Sequence, residues 1–324
     1  MRRRAFIASL AAPLALALHA QSRGQPRVGF LNSASPANYA FNVQAFRDGL
    51  REGGYVDGKS ATIEYRWAEG DYARLPQLAQ DLVRGSVDVI AATGDIGSAR
   101  AAMAATKSLP IVFTVGSDPV SFGLVRSLSR PGGNATGITL FSSTLSAKRL
   151  ELLREVVPGA TTVALFMNPT NPNVDADVRA ASEAAQSLGR QTVVVNAGTP
   201  EAFATAFDQA LSKRAGAVLL ASDPMFLAQR KMLTELAARK SMPVMYWSRE
   251  FTEAGGLISY GSGITWMYRE AGLYCAKILK GAKPGDLPIL QPSKFEMYVN
   301  LKAAKALGLA IPQATLLRAD EVIQ

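Results

Sequence analysis

The residues best suited to chemistry in this chain lie in six short polar clusters. They are Asn32-Ser33-Ala34-Ser35-Pro36, Thr93-Gly94-Asp95-Ile96-Gly97-Ser98, Gly116-Ser117-Asp118-Pro119, Asn168-Pro169-Thr170-Asn171-Pro172-Asn173, Ser222-Asp223-Pro224 and Trp247-Ser248-Arg249. Each is small or turn-forming, and several open helices, where free N–H groups and the helix dipole favour a carboxylate or another anion. Capping and turn formation account for any one of them alone. Six of them at matching sheet ends, facing across two lobes, point instead to a cleft. We expect Gly94, Asp95 and Ser117 to donate to a ligand carboxylate through backbone N–H or hydroxyl groups. Asp223 would pair with an amino group, and Tyr39 or Trp247 would cover an apolar part. Ser33, Thr93, Asp118, Asn168, Asn171 and Tyr260 complete the candidate set. Asp118 and Asp223 could serve as acid and base, but each precedes a Pro at a helix-opening position, which suits a cap better.

The elements that must position these clusters follow from hydrophobic periodicity. Strands are predicted at Val28–Leu31, Thr62–Tyr65, Val87–Ala91, Ile111–Thr114 and Gly137–Leu140. Leu75, Leu78, Ala79, Leu82 and Val83 mark an amphipathic helix among them. The pattern then restarts, with strands at Val163–Phe166, Thr192–Val195, Ala217–Leu220, Val244–Tyr246 and Leu257–Tyr260. Met225, Met232 and Leu236 are expected on one face of a single helix after Asp223. A last strand, Phe295–Val299, must return to one of the sheets. Strands apolar throughout, joined by amphipathic helices, imply parallel sheets covered on both faces. In such sheets ligands bind beyond the carboxyl ends of the strands. The fold class is therefore α/β, with two doubly wound lobes.

Composition excludes much. The chain has 324 residues, one His (His19) and one Cys (Cys275). A lone Cys cannot make an internal disulfide or a Cys-rich metal site, and on the apolar face of its helix it reads as a small buried hydrophobe. A lone His near the N-terminus argues against Ser-His-Asp or Cys-His catalysis. There is no P-loop, no dinucleotide fingerprint and no nucleophile elbow. No cofactor and no metal are expected.

Residues 1–20 read as an export signal: Arg2, Arg3 and Arg4, an apolar stretch from Ala5 to Leu18, then small residues to Ala20. The stretch is too short and interrupted to span a membrane. Both the Sec and Tat routes fit, because Arg3-Arg4 resembles a twin-arginine signal. Cleavage would remove His19 and leave 32 basic against 26 acidic residues, a net charge of +6. No Lys/Arg block stands behind that charge, so no nucleic-acid partner is expected.

Longer motifs carry a family resemblance. They are Phe46-Arg47-Asp48-Gly49-Leu50-Arg51-Glu52-Gly53-Gly54-Tyr55, Gly116-Ser117-Asp118-Pro119-Val120 and Arg130-Pro131-Gly132-Gly133-Asn134-Ala135-Thr136-Gly137. The most specific are Ile278 to Pro288, Gln291 to Glu296 and Asn300 to Leu309. On these the chain resembles the extracytoplasmic solute-binding proteins of ABC transporters, in the family that includes tryptophan and aromatic amino-acid binders. The resemblance implies the type I periplasmic-binding-protein fold, with three crossovers near Leu140, Gly256–Ser259 and Leu290. The lobes would be residues 27–140 plus 260–290 and residues 141–259 plus 291–324. It implies hinge closure over a small solute, which we expect to be an amino acid or similar small carboxylate, captured in the periplasm by a monomer that does not span the membrane. An ABC permease with a cytoplasmic ATPase would receive the solute. A ligand-sensing module for a membrane receptor, or an exported two-lobed enzyme, would share the shape.

Overall fold

The computed structural model describes residues 24–324; the expected export signal lies outside the described residues. Among the described residues, twelve strands form two sheets. The first contains β1 (Arg27–Asn32), β2 (Thr62–Trp67), β3 (Val89–Thr93), β4 (Ile111–Val115) and β5 (Ala135–Thr139) in the order β2-β1-β3-β4-β5, all parallel. The second contains β6 (Thr162–Met167), β7 (Gln191–Asn196), β8 (Ala217–Leu220), β9 (Val244–Tyr246), β10 (Ile258–Gly261), β11 (Glu296–Asn300) and β12 (Glu321–Ile323) in the order β12-β11-β10-β9-β8-β6-β7. The late strand thus returns to the second sheet. It pairs antiparallel with β10, so that sheet is not wholly parallel as expected.

The helices are α1 (Ala40–Glu52), α2 (Leu75–Arg84), α3 (Ile96–Ala105), α4 (Ser146–Val156), α5 (Val174–Ser187), α6 (Phe203–Ser212), α7 (Pro224–Ala228), α8 (Arg230–Arg239), α9 (Arg249–Glu253), α10 (Ile264–Leu279), α11 (Leu301–Ala306) and α12 (Gln313–Arg318). Alternation along β1 explains the first layer. Val28 and Phe30 share a buried cluster with Phe46, Leu50, Tyr268 and Tyr274 of α1 and α10. Leu31 faces the other way, into a cluster with Leu75, Ala79 and Leu82 of α2 and Ile96 and Ala99 of α3. Each such side chain contributes about 1.5–3 kcal/mol by leaving water. In the second sheet, Phe166, Val218 and Tyr246 pack towards α6–α8, and Val163, Leu165 and Leu219 towards α4 and α5.

The helix after Asp223 departs from expectation. It breaks at Gln229 into α7 and α8. Met232 is 40% exposed instead of sharing a buried face with Leu236. Periodicity over two short helices mimics one long one when the break costs a single residue of phase.

The chain passes between the sheets three times. It leaves the first after β5, leaves the second after Gly261, and leaves the first again beyond Leu290, which bridges Ile138 of β5. Between the last two passages runs α10, which packs against α1. That crossing is close because both helices carry glycine there. A Cβ on Gly49 would overlap the Arg269 carbonyl, and one on Gly272 would overlap the Phe46 carbonyl. Among the described residues no helix is long and apolar enough to cross a membrane.

Candidate functional site

All six polar clusters sit at carboxyl ends of parallel strands: three after β1, β3 and β4, and three after β6, β8 and β9. The two sets meet. The Tyr39 hydroxyl lies 3.5 Å from the Pro224 carbonyl. Gly116 lies beside Ser222, where an added Cβ would be 3.6 Å from Oγ. Towards the rim, the Arg230 guanidinium sits over the Phe41 ring, 5.5 Å from its centroid.

Asp95 and Asp223, both buried, couple electrostatically across this interface. Asp95 caps α3, its Oδ1 accepting from Ser98 N–H at 3.1 Å. Burial pushes its pKa up to about 6, and the Asp223 carboxylate adds to the effect. The Ser33 and Tyr72 hydroxyls pull the other way without forming a well-made hydrogen bond. Asp95 Oδ2 and Ser33 Oγ have no hydrogen-bond partner among the described residues. Asp223 caps α7, its Oδ1 accepting from Met225 N–H at 2.8 Å. Its Oδ2 accepts from Asn171 Nδ2 at 2.7 Å and Asn168 Nδ2 at 3.1 Å. Burial raises its pKa, and these three donors oppose the rise.

Several expected residues bond to one another or to neighbouring strands. Thr93 Oγ1 accepts from Asn32 Nδ2 at 2.8 Å and donates to the Leu31 carbonyl at 3.2 Å. Gly94 N–H already donates to Thr114 Oγ1 at 3.1 Å. Gly94 has φ +103°, and a Cβ there would be 2.8 Å from Ser33 Oγ, so glycine is required where two clusters touch. Asp118 caps a turn and not a helix, accepting from Val120 N–H at 2.9 Å. Tyr260 lies on β10 beside Phe295, with ring centroids 6.2 Å apart, and its carbonyl accepts from Arg149. None of these facts places it with Asp95 and Asp223.

Ser117 and Trp247 are buried, and neither Ser117 Oγ nor Trp247 Nε1 has a partner among the described residues. Tyr39 is 1% exposed and packs against Trp67 and Tyr268, with centroids 6.4 and 6.2 Å away. Sequence reading missed Tyr268, whose hydroxyl accepts from Asn32 Nδ2 at 3.0 Å. It also missed Tyr72 and Arg149. Arg149 is 3% exposed and donates to the Ser142 carbonyl, the Ser142 hydroxyl and the Tyr260 carbonyl at 2.9, 3.1 and 2.8 Å. It thereby ties the first passage between the sheets to the second. Arg149→Met keeps the bulk but strands three acceptors. We expect a loss of about 2–4 kcal/mol in urea unfolding, whereas an exposed arginine would change it by less than about 0.5 kcal/mol.

Known proteins can now be set beside this geometry. A family model described as ABC transporter substrate binding protein matches residues 34–323. The chain belongs to that family. A tyrosine-binding protein of Clostridioides difficile (strain R20291) is 26% identical over 291 residues, covering 89% of this chain and 82% of the relative. The structure of a conserved domain protein from Vibrio cholerae O1 biovar El Tor is 27% identical, with a TM-score of 0.84 over 92% of this chain and 100% of that one. An ABC domain from Streptococcus pneumoniae in complex with L-Trp is 24% identical, with a TM-score of 0.82 over 93% and 100%. The two-lobed α/β architecture of this family member is thus that of the periplasmic binding proteins. Among the described residues no group of three or more His, Cys, Asp or Glu side chains is placed to hold a metal ion.

Proposed function

We propose that this family member is the extracytoplasmic substrate-binding component of an ABC importer, capturing an amino acid between its lobes and delivering it to a permease. The observation that carries this reading is a pair of buried carboxylates, Asp95 after β3 and Asp223 after β8, coupled electrostatically across the two sheets, with Asp95 Oδ2 and the neighbouring Ser33 Oγ unpartnered among the described residues. Groups buried without partners cost about 1–3 kcal/mol each, and a bound solute would recover that cost. Asp95 and Asp223 suit an ammonium group, and Ser33 and Ser117 suit a carboxylate. Tyr39, Trp247 and Tyr268 suit an aromatic or apolar side chain. The tyrosine-binding relative and the L-Trp complex support an aromatic amino acid.

The lobes would be residues 27–140 plus 260–290 and residues 141–259 plus 291–324, hinged at the three passages. Contacts made only when they close would stabilise the closed form by their differential affinity. Residues 1–20 would direct the chain to the periplasm, where it would act as a monomer and leave its ligand chemically intact.

Calorimetry and thermal shift with L-tyrosine, L-tryptophan, L-phenylalanine and aliphatic amino acids test the reading. We expect an aromatic amino acid at 100 times its dissociation constant to stabilise the protein by about 2.7 kcal/mol. The des-amino analogue should bind at least tenfold more weakly. Mass spectrometry should recover the ligand unchanged. No stabilisation by any amino acid would sink the proposal.

A further inference from the structure

We propose that the cavity at the N-terminus of α10 is a second binding site, for a small oxyanion such as phosphate or sulfate. It does not rest on the solute reading above. Helix α10 runs for 16 residues, and its N-cap, Gly263, has no side chain with which to satisfy the first-turn N–H groups. A Cβ on Gly263 would meet nothing within 4 Å, so the helix end opens on space. That space is a cavity of about 260 Å³ whose lining includes Arg249, Ser262, Thr265, Lys294 and Glu296.

Two features point to an anion. Ser262 is 6% exposed, lines the cavity, and its hydroxyl has no hydrogen-bond partner among the described residues. It can donate to a ligand oxygen beside the helix N–H groups, where the dipole favours negative charge. Arg249 and Lys294 also outnumber the one lining carboxylate, Glu296. Both cations already have partners. Arg249 lies 3.6 Å from Glu253 and donates to the Tyr298 hydroxyl at 3.3 Å. Lys294 lies 3.2 Å from Glu296 and 2.7 Å from Asp320. These ion pairs are solvent-exposed on the cationic side, and such pairs are worth about 0–1 kcal/mol. Either cation can therefore turn to a better-placed anion. Glu296 opposes binding and keeps it weak.

The position gives the site a consequence. Ser262 and Gly263 lie where the chain leaves the second sheet, and Lys294 lies on its return. An anion held by both would brace two of the three passages against each other.

The test titrates the full chain with sodium phosphate and sodium sulfate by calorimetry and thermal shift, against sodium chloride at matched ionic strength. We expect saturable binding of one oxyanion. Ser262→Ala and Arg249→Gln should each weaken it at least fivefold, and Glu296→Gln should tighten it about threefold. Asp95→Asn, at the other site, should leave it unchanged. Circular dichroism of each variant separates lost binding from lost folding. A shift reproduced by chloride, or dissociation constants unmoved by both Ser262→Ala and Arg249→Gln in folded protein, would overturn the proposal.

Discussion

Asp95→Asn is expected to make the unliganded protein more stable at pH 7 and a poorer binder. The stability half follows from linkage. Burial raises the Asp95 pKa from 3.8 to about 6, so the folded state binds a proton more tightly than the unfolded chain. Below the unfolded value both states are protonated and nothing is lost. As pH rises through the window from 3.8 to about 6 the folded state is progressively destabilised, and at pH 7 the whole cost is present. A shift of that size is worth about 3 kcal/mol. Asparagine carries no charge to desolvate and still caps α3. Urea unfolding from pH 4 to pH 8 should therefore show stability falling with pH in the parent, with that component absent in the variant. The binding half follows from charge. An ammonium ligand competes with a proton for Asp95, so parent affinity should fall below pH 6. Asp95→Asn should weaken binding at pH 7 by at least tenfold and flatten the pH profile. A parent whose stability is flat from pH 4 to pH 7 would remove the account of Asp95.

Gly272→Leu is expected to cost more than 4 kcal/mol and to disrupt the layer of α1 and α10 beneath the first sheet. Replacing glycine within a helix normally gains about 1 kcal/mol in propensity. Here the added carbon would meet the Phe46 carbonyl, and the next neighbour is Leu50 N at 2.8 Å. Backbone cannot swing aside as a side chain can, so the helices must separate. Overpacking ordinarily costs about 1–3 kcal/mol; loss of the Phe46, Tyr268 and Tyr274 packing adds to it. Gly159→Ala is the control, since nothing lies within 4 Å of its added Cβ, and it should stay within about 0.5 kcal/mol of the parent. Equal melting temperatures for the two variants would refute the close crossing.

Particular residues show what was legible in the sequence. Asp223 before Pro224 reads as a cap, and its Oδ1 does cap α7. Its other oxygen takes amides from Asn168 and Asn171, more than fifty residues away; no local pattern carries that pairing. The inner strands were legible because they are largely apolar and buried on both faces, whereas the edge strands β2 and β7 are only partly buried. The antiparallel entry of β11 was not, since strand direction leaves no trace in composition. Tyr268 lies among apolar residues at helical spacing and reads as core, which hides the hydroxyl that meets Asn32. Arg149 carries no signal in the sequence, because its acceptors are two carbonyls and the Ser142 hydroxyl, brought together only where the chain changes sheets. Gly94 was noticed, but its N–H is engaged by Thr114 on the neighbouring strand, a fact that register decides.

The α1–α10 crossing also bears on how the protein is made. The ion pair between Arg269 and Glu52 joins residues 217 apart in sequence. Because α10 covers one face of the first sheet, a nascent chain ending before residue 264 would leave Phe30, Phe46 and their neighbours without that cover. Contacts so distant are slow to form, since loop closure precedes any gain. Most of the polypeptide would therefore leave the ribosome before its N-terminal half is locked.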